Sequence, residues 1–435
     1  MTALERLGAH VARSGLSDPA RQAARLHLVD TVGAWVAGSA TEEGRKLLAF
    51  RASGGLADRL AAHCALARVS EVDDIHLASA TTPGALVVPA ALTLAAARGG
   101  ALAEAIAVGY DAMTRLGLAL NGPTILYRGI WPSYLCAPFA VAAACSRLLG
   151  LSETQTAHAL AIALALSSPV VGRQSGQSMS RWLAIGNAAR GGFTAALFAQ
   201  AGFTGDLGIL EGDLFPSVYG LSPVVAQLEE ERPALPEVSF KPWCAARQTM
   251  AATQALREMI DEGLKPAAIS ALVVGVPPPT LKMVNRGVVP GDRPSYLTSL
   301  PYQMALAALH PDTTIDVRQT PTAVPAEIRD FMAKISAWAD EDLLRHYPKS
   351  WPARVVVTVS GERSEKTVLH VPGDPERAFD ESQVAAKFWR LVAPLVGDRA
   401  GEELLRLALA ALEDGGAKPL LEAMERSAAA LAASG

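Results

Sequence analysis

The sequence predicts a mainly α-helical protein, in which a large helical domain formed by both chain ends carries a smaller inserted α+β domain with an antiparallel sheet. Three observations lead to this fold class. Apolar residues recur at helical spacing up to about residue 233, and they do so again after residue 375. The first clear strand patterns lie between these stretches, at residues 269–277 and 354–371. The expected domains are residues 1–240, 241–375 and 376–435, the last returning to the helical domain.

Start and stop signals define the first long helix. Ser17 or Asp18 supplies its cap, Pro19 lies in its first turn, and Gly38 ends it. Asp30 lies on its apolar end, where a buried capping role is expected. Similar patterns predict further helices at 42–66 (split by two glycines), 85–97, 101–120, 138–150, 152–167, 187–202 and 244–262.

Two β-rich runs follow one another near the end of the inserted domain. Residues 354–360 and 366–371 are rich in valine and threonine, and Gly361 and Glu362 lie between them. This arrangement predicts a β-hairpin and therefore at least part of an antiparallel sheet.

Composition excludes several classes of function. The 435-residue chain is 50% hydrophobic, carries a formal charge of −4 and has no basic run, so we expect neither a nucleic-acid nor a membrane partner. The N-terminus lacks the apolar core of a signal peptide. The four cysteines form no CxxC pair, which indicates reduced thiols and a cytoplasmic location.

The common cofactor and metal motifs are missing from the sequence. It contains no GxGxxG, P-loop, GxSxG or HExxH pattern. The eight histidines have no ligand spacing with cysteine or with one another. We therefore expect no bound cofactor and no metal.

Residues 71–89 form the most informative stretch. The carboxylates of Glu71, Asp73 and Asp74 precede a Thr82-Pro-Gly break, which opens an apolar helix. Carboxylates in so apolar a region are costly to bury without partners. They either cap the neighbouring helices or belong to a site. Two other irregular polar segments, at 121–138 and 168–186, lie between apolar helices, and such loops often carry function.

Taken in order, these segments resemble the MmgE/PrpD family over nearly the whole chain. The matching residues are Asp73-Asp74-Ile-His-Leu-Ala-Ser with Pro83-Gly84 and Val88-Pro89-Ala90; Gly109-Tyr110-Asp111 with Arg115-Leu116-Gly117; Ser146-Arg-Leu-Leu-Gly-Leu-Ser152; Gly186-Asn-Ala-Ala-Arg190; Gly202-Phe-Thr-Gly205; Leu210-Glu-Gly212; Phe240-Lys241-Pro242-Trp243; and Ser299-Leu-Pro-Tyr302. The resemblance implies a helical domain with an α+β lid, a homodimer, a site between the domains and no cofactor. It also implies a small-molecule substrate that is a carboxylate or carbonyl compound.

The chain departs from the family pattern at several acid–base positions. Thr82 stands where the family has a histidine before Pro-Gly, and Trp131 stands at a second histidine position. Arg181-Trp182-Leu-Ala replaces the family's Lys-Pro-Leu-His. Arg68 and Met250 occupy two further histidine positions, and Ile75 replaces a threonine. Tryptophan, methionine, alanine and threonine cannot carry protons near neutral pH, and arginine is too basic to do so.

The remaining residues give the predicted site. A lysine withdrawn from water beside arginines loses its proton more readily, so Lys241 is the expected base. Tyr302 is the expected donor, Asp73 or Asp74 orients, and His76 is a possible replacement for the missing histidines. Substrate contacts are predicted for Arg128, Trp131, Ser133, Thr82, Arg181, Trp182 and Arg247.

Three functions remain open from the sequence. The first is a cofactor-independent lyase that transfers a proton at a carbon next to a carboxylate or carbonyl. Because Trp131 and Trp182 add apolar surface, its substrate is expected to be bulkier or less charged than citrate. The second is an epimerase, isomerase or cyclase acting on a specialised metabolite. The third is a dimeric binding protein that kept the fold without the chemistry.

Overall fold

The structure, a computed structural model, describes residues 1–51, 54–168, 178–230 and 233–433. The chain divides into two compact units. The first runs to Phe240 and resumes at Phe379, and the second comprises Lys241–Ala378. Helices build the first unit, whereas the second combines helices with a small sheet. The mainly α fold class is confirmed.

Helices account for most of the described residues. In chain order they are α1 (Ala3–Arg13), α2 (Asp18–Ser39), α3 (Glu42–Arg51), α4 (Leu56–Val69), α5 (Gly84–Arg98), α6 (Leu102–Ala119), α7 (Gly122–Leu126), α8 (Pro132–Leu148), α9 (Glu153–Ala165), α10 (Ser180–Gln200), α11 (Ala226–Glu229), α12 (Arg247–Asp261), α13 (Pro278–Val284), α14 (Arg293–Thr298), α15 (Leu300–Leu309), α16 (Ala326–Met332), α17 (Glu381–Val396), α18 (Asp398–Ala410) and α19 (Ala417–Ala433). Helices α12 to α16 belong to the second unit.

Local sequence explains how several helices of the first unit begin. The Ser17 side chain accepts a hydrogen bond from the backbone N–H of Ala20 and so caps α2. Helices α1, α9 and α17 each begin with a reciprocal capping box. These caps satisfy backbone N–H groups that would otherwise have no partner within the helix.

Close packing in the first unit depends on small residues. Helix α10 packs against α8, and a Cβ atom placed on Gly192 would lie 2.2 Å from the carbonyl oxygen of Pro138. A larger residue at Gly192 would therefore push the two helices apart.

The second unit contains a four-stranded sheet. Its strands are β1 (Ile269–Val276), β2 (Ile335–Ala339), β3 (Ala353–Val359) and β4 (Glu362–Val368). The spatial order is β2-β1-β3-β4, with β1 parallel to β2 and antiparallel to β3. The sheet is therefore mixed, whereas the sequence predicted an antiparallel one. Strand β2 begins after α16, so a helical crossover precedes its pairing with β1, as parallel strands require.

The predicted hairpin is present, with a shifted turn. Strands β3 and β4 pair from Ala353 opposite Val368 to Val359 opposite Glu362. Only Ser360 and Gly361 lie between them, and both have positive φ angles, 51° and 87°. Such angles are typical of tight hairpin turns. Glu362 thus begins the second strand instead of lying in the turn.

Candidate active site

The stretch predicted to carry the site is a buried loop between α4 and α5. We call residues 70–83 the site loop. Two of its non-glycine residues, Glu71 and Ala80, have positive φ angles of 57° and 54°. Strained conformations of this kind persist only where the surrounding structure holds them. Backbone hydrogen bonds between His76 and Thr81, and between Ile75 and Ser239, fix the loop.

Asp74 belongs to this loop and is completely buried. Its Oδ1 accepts the backbone N–H of Gly84 at 2.7 Å, and its Oδ2 accepts the Tyr110 hydroxyl at 2.6 Å. A Cβ atom on Gly84 would lie 2.6 Å from Asp74 Oδ2, so the carboxylate can approach only because this residue is glycine. Asp74 therefore satisfies a donor at the start of α5.

His27 completes the surroundings of Asp74. Its Nδ1 lies 2.8 Å from Asp74 Oδ2, and its Nε2 lies 3.1 Å from the carbonyl oxygen of Leu235. Both neighbours are hydrogen-bond acceptors, so each ring nitrogen of His27 faces an oxygen. Burial and the adjacent carboxylate of Asp74 raise the pKa of Tyr110, which keeps its hydroxyl a donor.

A second buried ion pair adjoins this network. Lys387 Nζ lies 2.6 Å from Asp30 Oδ1 and donates to the carbonyl oxygen of Val72 at 2.9 Å. Burial raises the pKa of Asp30, whereas Lys387 acts in the opposite direction. Lys387, which lies on α17, therefore bonds both to α2 and to the site loop.

The Asp73 carboxylate is bonded on a different side. Its Oδ1 lies 3.1 Å from Nη1 of Arg68, and the same nitrogen lies 3.0 Å from Glu71 Oε2. Burial opposes the charge on Arg68, but Asp73 and Glu71 together raise the pKa of its guanidinium. Arg68 is thus a buried cation matched by two carboxylates.

Aromatic rings surround the neighbouring Arg181. Its guanidinium carbon lies 4.4 Å from the ring centre of Trp131 and 4.9 Å from that of Trp182. Arg68 lies 6.0 Å from the same Trp182 ring. Tyr134 packs edge-on against Trp131, with ring centres 5.8 Å apart. We call these five residues, Arg68, Trp131, Tyr134, Arg181 and Trp182, the Arg–Trp cluster.

Three buried donor atoms of the Arg–Trp cluster have no hydrogen-bond acceptor among the described residues. They are Nε of Arg68, Nε of Arg181 and the Tyr134 hydroxyl. Buried polar atoms are nearly always paired, so such atoms call for an explanation. Each of the three can donate a proton to an acceptor. Their shared requirement is an acceptor oxygen, which a carboxylate or enolate would supply.

Thr82 and Ser133 connect the site loop to α8. The Ser133 hydroxyl accepts the backbone N–H of Thr82 at 3.0 Å and lies 2.9 Å from the Thr82 hydroxyl. Both side chains are buried. Thr82 therefore links two segments of the first unit.

Two other predicted residues have bonds within the fold. His76 Nδ1 lies 2.8 Å from the Ser79 hydroxyl, and its Nε2 lies 3.4 Å from Glu237. Arg128 donates to the carbonyl oxygens of Gly220 and Tyr219. The first set of contacts stabilises the site loop, and the second holds residues 219–220.

The remaining predicted residues belong to the second unit. Lys241 is 2% exposed. Tyr302 lies on α15 with its ring 4.9 Å from that of Tyr296, and burial, with a smaller effect of Tyr296, raises the pKa of Tyr302 to about 12. Tyr302 therefore stays protonated near neutral pH. Arg247 is paired with Asp374 at 2.6 Å, and both side chains are buried, so this arginine has an internal carboxylate partner.

Sequence reasoning missed four residues around the two aspartates. His27 and Lys387 lie on other helices and gave no local signal, and Tyr110 was visible only as part of the Gly109-Tyr110-Asp111 motif. Tyr134 lies in the irregular segment at 121–138, and its position three residues after Trp131 was the available clue.

The described residues offer two further findings. Nowhere among them do three His, Cys, Asp or Glu side chains come together in a way that could hold a metal ion. None of their helices is both long and apolar enough to cross a membrane.

Comparison with known proteins gives matches in both parts of the chain. The MmgE/PrpD N-terminal domain matches residues 4–214, and the MmgE/PrpD C-terminal domain matches residues 243–411. The cis-aconitate decarboxylase-like protein oryM of Aspergillus oryzae is 30% identical over 145 residues, which cover 31% of this chain and 30% of the relative. The chain thus aligns with less than a third of that relative's length. Because the two domain matches extend over most of the sequence, the chain belongs to the MmgE/PrpD family.

Proposed function

We propose that this protein is a cofactor-independent lyase that transfers a proton at a carbon next to a carboxylate or carbonyl group. Family membership supports an enzyme of this general kind. So does the name of the Aspergillus relative, a cis-aconitate decarboxylase-like protein, because decarboxylation is a lyase reaction. The substrate would be a small organic anion.

The three unpartnered donors of the Arg–Trp cluster are the observation that carries this proposal. Arg181 supplies a charge, and Trp131 and Trp182 hold its guanidinium plane by stacking. A carboxylate bound there would give Arg181 Nε the acceptor that it lacks among the described residues. Hydrogen bonds that involve two charged groups are among the strongest in proteins.

The charges around the cluster favour a substrate with few carboxylates. Arg68 is already matched by Asp73 and Glu71. Arg181, in contrast, is stacked between tryptophan rings. A second or third substrate carboxylate would therefore lie near two protein carboxylates, which costs free energy. The two tryptophans instead offer apolar surface to a bulkier organic group.

The proposed chemistry needs a base and a group that stabilises the negative charge of the enolate. The base takes the carbon-bound proton, and the electron pair of the C–H bond moves to form an enolate. Arg181 stabilises the charge that develops on the enolate oxygen. Lys241 as the base and Tyr302 as the donor remain predictions, and the burial of Lys241 and the protonated state of Tyr302 are compatible with these roles.

Proton NMR in D₂O with a panel of acids tests the proposal. The panel contains 2-methylcitrate, citrate, cis-aconitate, iminodisuccinate and simple oxo acids. Because one series of spectra follows water loss, decarboxylation and deuterium entry, it covers all the expected reactions. The key variant is Lys241→Ala, and the matched control is Lys418→Ala, because Lys418 is exposed.

Each outcome of the NMR series has a defined meaning. Turnover that is lost in Lys241→Ala and kept in Lys418→Ala supports the lyase with Lys241 as its base. Deuterium entry without net conversion favours an epimerase or isomerase. A folded protein that binds panel compounds without turnover or exchange would contradict the lyase and favour a binding protein.

A further inference from the structure

Tyr134 is a completely buried residue in the first turn of α8. Its ring packs against Trp131, which in turn stacks on the Arg181 guanidinium. The side chain therefore lies beside the cation that the proposed function assigns to the substrate.

The Tyr134 hydroxyl differs from that of another buried tyrosine in the same unit. Tyr110 is equally buried, and its hydroxyl donates to Asp74 at 2.6 Å. The Tyr134 hydroxyl has no acceptor for its proton among the described residues, and Arg181, which is close enough to interact with it, can only donate. Its neighbours Arg181 and Arg68 can only donate hydrogen bonds, so neither can accept the phenolic proton. The hydroxyl therefore lacks an acceptor that a ligand could provide.

The protonation state of Tyr134 suits a donor. Burial raises the pKa of its hydroxyl, and this effect outweighs the opposing effects of Arg181 and Arg68. The group is therefore a neutral phenol near pH 7, with a proton to donate and two cations close by.

We propose that Tyr134 is a further catalytic residue, which donates a hydrogen bond to the substrate oxygen bound by Arg181 and stabilises the negative charge that this oxygen gains. This inference rests on the proposed function and adds a residue to it. A carboxylate or enolate oxygen at Arg181 would accept from both side chains. The two donors together would prefer the enolate to the starting acid, because their interaction strengthens as charge develops.

Tyr134→Phe tests this role, because it removes the hydroxyl and keeps the ring. We expect kcat to fall roughly 100-fold, with a much smaller change in KM, as for the loss of one donor to a developing oxyanion. The melting temperature should stay the same or rise, because a buried hydroxyl without a partner is removed. Tyr347→Phe in the second unit is the matched control, and it should leave kcat unchanged.

Binding of oxalate provides a readout that does not depend on turnover. Oxalate is a planar anion that resembles the enolate of an oxo acid, and isothermal titration calorimetry measures its affinity. We expect Tyr134→Phe to bind it about tenfold more weakly than the wild type, which corresponds to one lost hydrogen bond. Acetate, which resembles the starting carboxylate, should be affected less.

Three results would overturn the inference. Unchanged kcat and oxalate affinity in Tyr134→Phe would remove its catalytic role while leaving the proposed lyase intact. A variant that melts several degrees lower, or fails to fold, would show that the hydroxyl is structural. A wild-type protein that neither binds oxalate nor converts any panel compound would overturn the proposed function and this inference together.

Discussion

Asp73 and Asp74 are neighbours in sequence, but their side chains lie in two different environments. Both oxygens of Asp74 accept hydrogen bonds, from Gly84, Tyr110 and His27. Asp73 instead faces Arg68 of the Arg–Trp cluster, in which three buried donors have no acceptor among the described residues. A network with its bonds completed holds a fold together, whereas donors without acceptors suit a ligand. Asp74 thus belongs to a completed network, whereas Asp73 lies beside the proposed binding site.

The largest effect is expected for Asp74→Ala. This change leaves the Tyr110 hydroxyl and the Gly84 N–H without their acceptor and the buried His27 without its carboxylate. Breaking a buried charge pair costs about 3–5 kcal/mol, and urea unfolding measures this loss. Asp414→Ala at an exposed position should change stability by less than about 0.5 kcal/mol. A loss below about 1 kcal/mol for Asp74→Ala would contradict the comparison.

The next effect concerns Lys387→Met, and it should depend on pH. Asp30 loses its partner, and its pKa, already raised by burial, rises further. Because the pKa of Asp30 is higher in the folded than in the unfolded protein, its protonation stabilises the fold at pH values below the unfolded-state pKa of about 3.9. This stabilisation is lost as the pH rises through the folded-state pKa. The variant should therefore lose about 3 kcal/mol near pH 8 and less near pH 5.

Unfolding curves for Lys387→Met at both pH values measure this dependence. The double variant Lys387→Met with Asp30→Leu should recover much of the loss, because no buried charge remains. An equal loss at both pH values would indicate that Asp30 does not titrate in this range.

Arg181→Met should separate binding from stability. We expect kcat/KM to fall about 100-fold, because a charged hydrogen bond to the substrate is lost. The free energy of unfolding should fall by only about 1–2 kcal/mol, which is the contribution of a partly buried cation–π contact. Arg399→Met, at an exposed position, is the control for both measurements. A large loss of stability would show that Arg181 stabilises the fold, as the Asp74 network does, and would contradict a role limited to binding.

The smallest effect is expected for Thr82→Val. The hydroxyl contact with Ser133 is lost, but the backbone N–H of Thr82 keeps its bond. One neutral hydrogen bond contributes about 1 kcal/mol, which thermal unfolding detects. Thr82→Ser retains the hydroxyl and should stay closer to the wild type. Ser133→Ala removes both bonds and should cost more than Thr82→Val.

Sequence reasoning gave part of the candidate site. Trp131, Arg181 and Trp182 were predicted as substrate-binding residues, and the structure brings all three into contact. Their role in binding stays a prediction. The same reasoning left the orienting role open between Asp73 and Asp74, and the fold directs the two side chains to different partners. Adjacent residues on an irregular loop have no fixed periodicity that would reveal this difference.

The sequence by itself determined the helical fold class, the position of the sheet-bearing segment and many helix starts, because periodicity and capping depend on residues a few positions apart. Tertiary structure decided which polar groups are paired. His27 reaches Asp74 across 47 positions, and Lys387 reaches Val72 across 315. The parallel pairing of β1 and β2 was also settled only by the fold. Contacts at such separations follow from how helices and strands pack, which short-range sequence patterns do not encode.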